Sequence, residues 1–360
     1  MNLAEVTGVT NTFFQNQVIK RKKEAQYFYN KMIVIFTSTA LFGYLSIIYF
    51  SHQVSGVSTI FSSASNFLFV LGAAFYLGAC MYYLLTLLHD YVHASQYYSK
   101  KARFVMEYIV PALVPMNPSG YRWGHFQHHS NTNRFSEELD TLPPFKLDKT
   151  LSAFWFNVAI HSLFITLIFV IRIAINPLMM LSEKTRLIYF NYVSPLGRVS
   201  PTAYPARKCE KEFKRNFTAN LISLATILSF WALSGFSLVF LILYFSALFI
   251  SSAWISFRSL VDHACVDVKD KESARKADFY LTSNFSDKYF WYAGFATYHL
   301  VHHINSSIPH YFCKEINDIL CNEYPEYEQL HLRRNNIYLV LHDFFGKDTK
   351  DTLEVNLIKV

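Results

Sequence analysis

Eight of the fourteen histidines fall in three windows of five residues: His89-Asp90-Tyr91-Val92-His93, His125-Phe126-Gln127-His128-His129 and His299-Leu300-Val301-His302-His303. Neutral imidazole is the commonest metal-ligating side chain and suits iron, zinc and copper. Spacings of three and four place side chains on one face of a helix. Each window, if helical, therefore aims its imidazoles at one point. A lone histidine is more often a hydrogen-bonded structural residue than a ligand, and a single HxxxH means little. Three such boxes, two of them with identical spacing, point to metal. Eight ligands exceed the four of a usual zinc site, so two ions are the expected count.

Something must hold these boxes together, and the chain between them is strongly apolar. It is 52% hydrophobic and 18% aromatic, with only 16% charged residues, against about 25% charged in an average soluble domain. The apolar residues are gathered into runs. Those over 32–50 and 67–88 each reach the ~20 residues that cross a bilayer core. Residues 217–257 carry no charge at all and are long enough for two spans. Ser234-Gly235 marks the turn of a helical hairpin, 217–233 and 236–257, with glycine as the turn residue.

The run 154–181 is interrupted by His161 and Arg172, eleven positions apart and so on nearly one helical face. Both its flanks are basic, and a single crossing here would put the third box on the opposite side from the first two. It is therefore read as an interfacial or re-entrant element. The expected fold is an all-α integral membrane protein with four transmembrane helices. Residues 89–153, 182–216 and 258–360 are expected to form one cytosolic helical cap around the metal site.

The net charge of +7 could suggest nucleic acid, but the basic residues cluster beside the apolar runs, as in Lys20-Arg21-Lys22-Lys23 and Lys214-Arg215. That is the Lys/Arg excess of cytoplasmic flanks. The loop 51–66 has no Lys or Arg, which places both termini and all three boxes in the cytoplasm. The N-x-S/T sequons at Asn216, Asn284 and Asn305 are then on the cytoplasmic side and expected to stay bare. Five scattered cysteines with no CxxC read as free thiols in a reducing compartment. No cleavable signal peptide is read, because about thirty mostly polar residues precede the first apolar run. Bacterial inner membrane and endoplasmic reticulum both fit.

With its HxxxH, HxxHH and HxxHH boxes, the chain resembles the membrane fatty acid desaturase family over roughly residues 30–345. Asp90 gives the HDxxH form, His125 to Asp140 reads HFQHHSNTNRFSEELD, and His299 to Tyr311 reads HLVHHINSSIPHY. The resemblance implies a four-span bundle with a cytosolic cap, a centre of two iron ions, and dioxygen as oxidant. It implies His89, His93, His125, His128, His129, His299, His302 and His303 as ligands. His263, just after the last span, is implied as a ninth. His52, His161, His310, His331 and His342 are set aside as non-ligands. No HPGG haem motif of a fused cytochrome b5 module occurs, so electrons are expected from a separate donor of ferredoxin, rubredoxin or cytochrome b5 type, with its reductase.

The chemistry agrees with this arrangement. An unactivated methylene offers neither an acidic proton nor an electrophilic centre, so a cofactor must carry the hard step. Asp90, Asp140 and Asp262 lie near the boxes and are candidates to orient imidazoles by accepting their second N–H. Solvated or capping carboxylates would look the same. The expected substrate is a lipid or acyl chain, in a tunnel lined by apolar side chains with its headgroup in water. The expected reaction is desaturation, favoured by the HDxxH form and the acidic turn after His129. Hydroxylation or ketolation of a lipid or carotenoid uses closely similar boxes. A metal transporter is the remote alternative, disfavoured because the four expected spans hold no Asp, Glu, Lys or Arg and transporters need ionisable groups near the midplane.

Overall fold

The computed structural model describes residues 3–54, 56–116, 118, 121–122, 125–126, 129, 151–188, 210–262, 280–282, 285–324, 327 and 332–334. Its main helices, in chain order, are α1 (Leu3–Phe13), α2 (Lys22–Gln53), α3 (Ala64–Ala94), α4 (Lys100–Phe104), α5 (Val110–Leu113), α6 (Leu151–Ile175), α7 (Glu210–Leu233), α8 (Leu238–Asp262), α9 (His299–Ile304) and α10 (His310–Glu323). A π-helical turn, Val105–Ile109, joins α4 to α5. The all-helical expectation holds apart from two three-residue strands, Tyr280–Thr282 and Leu332–Arg334, paired in parallel.

Five helical stretches are long and apolar enough to cross a membrane: Lys22–Gln53, Ala64–Tyr97, Phe154–Leu178, Lys214–Leu233 and Leu238–Ser259. Many large apolar side chains on them face outward, among them Phe42 at 64% and Leu68 at 63% exposure. In water such faces would be a liability, whereas lipid accepts them. The chain is an integral membrane protein. Its candidate spans number five where four are expected, because the stretch 154–178 folds as one unbroken helix.

The chain divides into two compact units, one of residues 21–128 and 161–255, the other of residues 1–20, 129–160 and 256–360. In the first unit, α2 and α3 pack side by side. The Ser63 hydroxyl caps α3 by accepting from the Asn66 N–H at 3.2 Å. Gly78 lets α3 approach α8 closely, since a Cβ there would sit 2.9 Å from the Ala247 carbonyl oxygen. Small residues at such crossings allow the tight backbone contact on which helices in lipid depend. The expected hairpin is present: α7 ends at Leu233, Gly235 takes a φ of +71°, and α8 begins at Leu238. His52, set aside as a ligand, hydrogen-bonds through Nε2 to the Leu233 carbonyl at 2.6 Å, satisfying the end of α7.

Helix α6 is held by the hairpin at two points. Thr166 donates to Ser252 at 3.2 Å, and just past the helix end Asn176 donates to the Phe217 carbonyl and accepts from Asn220. Ser252 lies 14 residues beyond Leu238 and Asn220 lies 13 before Leu233, so both are about 20 Å from the hairpin turn. Thr166 and Asn176 are themselves ten residues apart, yet they meet the hairpin at one height. Helix α6 therefore runs obliquely across it.

Residues 100–116, assigned by sequence to the cytosolic cap, pack back along α2 and α7. Tyr44, 22 residues into α2, donates to the Leu113 carbonyl at 2.5 Å. Ser223, mid-way along α7, donates to the Pro111 carbonyl. Arg172 of α6 donates to the Pro115 carbonyl. The physical reason is the short helix α5, whose last carbonyls have no partner further along the chain. Away from water such groups must be satisfied by neighbouring helices. Arg172 also brings positive charge to the negative end of α5, and its guanidinium lies 5.2 Å over the Phe169 ring. Its side chain is 1% exposed.

Replacing Arg172 by leucine is expected to leave the Pro115 carbonyl buried and unpaired, a loss of about 1–3 kcal/mol. The readout is a lower unfolding temperature in detergent, with a smaller folded fraction by size exclusion. An unchanged temperature would remove Arg172 from this role.

Candidate metal centre

The first unit carries one group of imidazoles. Helix α3 runs without a break from the apolar span into the first box, so His89 and His93 project from its last turns. Their ring centroids are 5.6 Å apart, as the spacing of four predicts. His125 of the second box completes the group at 4.4 Å from His89 and 4.8 Å from His93. One ring nitrogen from each of the three lies within 4.8 Å of the others. His125 is 3% exposed.

Several residues that the sequence reading passed over hold this group. Tyr121, four residues before His125, stacks on it at 5.1 Å with planes 16° apart. Arg122 donates through Nε to the Val92 carbonyl at 3.1 Å, and its guanidinium lies 5.7 Å over the Tyr91 ring. This ties the second box to the last turn of α3. Tyr91 in turn donates to Glu107 Oε1 at 2.7 Å, and Arg215 pairs with Glu107 at 3.8 Å. The i, i+4 placing of Tyr121 before His125 is the one signal that the sequence offered for this frame.

Asp90 is 1% exposed and accepts from the Tyr98 hydroxyl at 3.1 Å. Burial first, then the Asp90 charge, push the Tyr98 phenol well above its ordinary range, so it stays a donor. Tyr29 stacks on Tyr98 at 4.4 Å. Asp90 is thus fixed against α2 and the end of α3, directly beside the first ligand candidate. Asp140 lies outside the described residues, and so does the side chain of Asp262.

The second unit carries the other group. Phe257, near the end of α8, stacks on Trp291 at 4.2 Å. A turn with positive φ at Ala293 and Gly294 then leads to α9, which is the third box. His299 and His303, four apart on α9, bring their Nε2 atoms to 3.0 Å. That is the edge expected between two neighbouring ligands at about 2.0–2.1 Å from one ion. His129 of the second box lies 4.7 Å from His302 and 4.5 Å from His303, centroid to centroid. His302 is fully buried. The ring of His310, set aside from sequence, lies 4.6 Å from that of His302. His128 and His263 lie outside the described residues, as do His331 and His342.

The donor set fits a first-row transition metal. Each group offers several imidazole nitrogens at near-ligand spacing, and neutral imidazole suits iron as well as zinc or copper.

A family model described as fatty acid desaturase matches residues 65–334, a range that takes in all three boxes. No curated protein and no solved structure matches the chain.

Proposed function

The chain belongs to the fatty acid desaturase family, and from that membership and the two imidazole groups we propose that it is an oxygen-dependent lipid desaturase working with two histidine-held irons. The observation that carries the reading is the placing of the boxes. All three supply buried or half-buried imidazoles to compact groups, and the match covers every one of them. The donor set alone admits zinc or copper, and family membership supports iron.

On this reading His89, His93, His125, His128, His129, His263, His299, His302 and His303 hold the two irons. The bound irons, with dioxygen, supply the oxidising power to take hydrogen from an unactivated C–H bond, which no side chain provides. Desaturation removes one hydrogen from each of two adjacent carbons. Dioxygen becomes two waters, with two electrons from a separate donor protein and two protons from solvent.

The work of the chain is positional. Arg122 keeps the second box against the first, Tyr121 fixes the His125 ring, and α9 presets the His299–His303 pair. Rings held by packing and by hydrogen bonds of the surrounding shell keep a metal site within its productive geometry. Asp90, Asp140 and Asp262 are proposed to orient ligand imidazoles. The substrate is an acyl chain that enters from the bilayer, which agrees with a site built on the end of a membrane helix.

The test is lipid profiling of a host with and without the chain, with products located by mass spectrometry. A new double bond that needs dioxygen, and is missing with a His93→Ala chain, is expected. A new hydroxyl at the same carbon would replace desaturation by hydroxylation. Metal flux across vesicles with no change in lipid would contradict both.

A further inference from the structure

We propose that His310 is a further imidazole ligand of the metal held by the third histidine box, an inference that rests on the reading of that box as a metal site. It comes from outside the boxes and from a different helix. His310 is the first residue of α10, directly after Pro309, which precedes the helix as its N-cap. It is 3% exposed, and its ring lies 4.6 Å from that of the fully buried His302.

The spacing is the first argument. Two imidazoles bound side by side to one ion, at about 2.0–2.1 Å, have ring centroids roughly 4.5 Å apart. Five pairs among the expected ligands fall between 4.4 and 4.8 Å. The His302–His310 pair, at 4.6 Å, falls within the same interval. The distance places the His310 ring beside that of His302, as for the other neighbouring imidazoles of the boxes.

The second argument is anchoring. The Cys313 thiol points to the Pro309 carbonyl at 3.7 Å, and Phe312 packs edge-on against Phe13 of α1 at 6.5 Å. Further along α10, Tyr327 donates to Asn317 at 3.2 Å. Phe295 meets the His310 ring edge-on at 6.1 Å. The backbone of α10 is held on several sides at the point where it delivers this imidazole, as a ligand position requires.

The third argument is the count. Among the described residues of this unit, His129, His299, His302 and His303 make four imidazoles, and His310 makes five. A six-coordinate ion would then keep one position for an exogenous molecule. Iron sites that activate dioxygen need such an open position.

The test uses the purified full-length protein, stripped and reloaded anaerobically with ferrous iron, and measures iron per chain and apparent affinity against a chelator. His310→Phe keeps the ring volume without a nitrogen, and His310→Ala removes the ring. Comparison is made between proteins whose metal-free unfolding temperatures match, which His310→Phe is chosen to satisfy. The expected result is a more than tenfold loss of affinity for one of two irons in both variants, with free imidazole restoring His310→Ala but not His310→Phe. If His310→Phe holds both irons at wild-type affinity, His310 is a packing residue and the inference is overturned. If the unaltered chain takes up no iron, the parent reading fails, and this inference fails with it. Neither readout needs the lipid substrate.

Discussion

Replacing His302 by alanine is expected to abolish product formation, a loss of about three orders of magnitude or more, down to background. His302 is fully buried and lies within 5 Å, ring to ring, of both His129 and His310. Alanine cannot substitute for a metal-bound nitrogen, and the space left does not recruit one. His93→Ala, in the other group, is expected to cost as much. The double variant should then lose little more than either single one, because residues that act as a unit are grossly non-additive.

The measurement is product per chain in membranes of equal abundance. Insertion should be unaffected, since the apolar helices do not depend on these imidazoles. His331→Ala and His342→Ala, outside all boxes, should turn over near normally. Wild-type product levels from either His93→Ala or His302→Ala would show that the histidines are not a catalytic cluster.

What the sequence could and could not announce follows from the range of each interaction. The spacings His89–His93 and His299–His303 are local, so a helical period alone places those rings together. The hairpin at Ser234–Gly235 was equally legible, because only a turn interrupts forty uncharged residues. The approach of His310 to His302 was not legible because a second helix that begins after Pro309 makes it, and no period spans that junction. The packing of residues 100–116 along α2 and α7 was not legible for a related reason: what seats them are carbonyl groups, which every residue carries. Their partners Tyr44, Ser223 and Arg172 come from three distant helices. Arg172 looked like an interruption of an apolar run; in the structure it is the donor that the end of α5 requires. The continuous helix over 154–178 raises the candidate spans to five, while its oblique course across the hairpin agrees with the polar interruptions at His161 and Arg172. The side of the membrane rests on the Lys/Arg distribution alone.

Metal content is the second large effect and the most direct test of the account. Eight box histidines and His263 are too many for one ion. Because the proposed oxidising power comes from the metal, its removal should take all activity with it and its return should restore it. The measurement is elemental analysis of the purified full-length chain, followed by chelation and reconstitution with ferrous iron or zinc. The account predicts about two irons per chain, activity lost on chelation and regained with iron but not with zinc. Stoichiometric zinc in the active protein, or activity that survives the removal of iron, would contradict it.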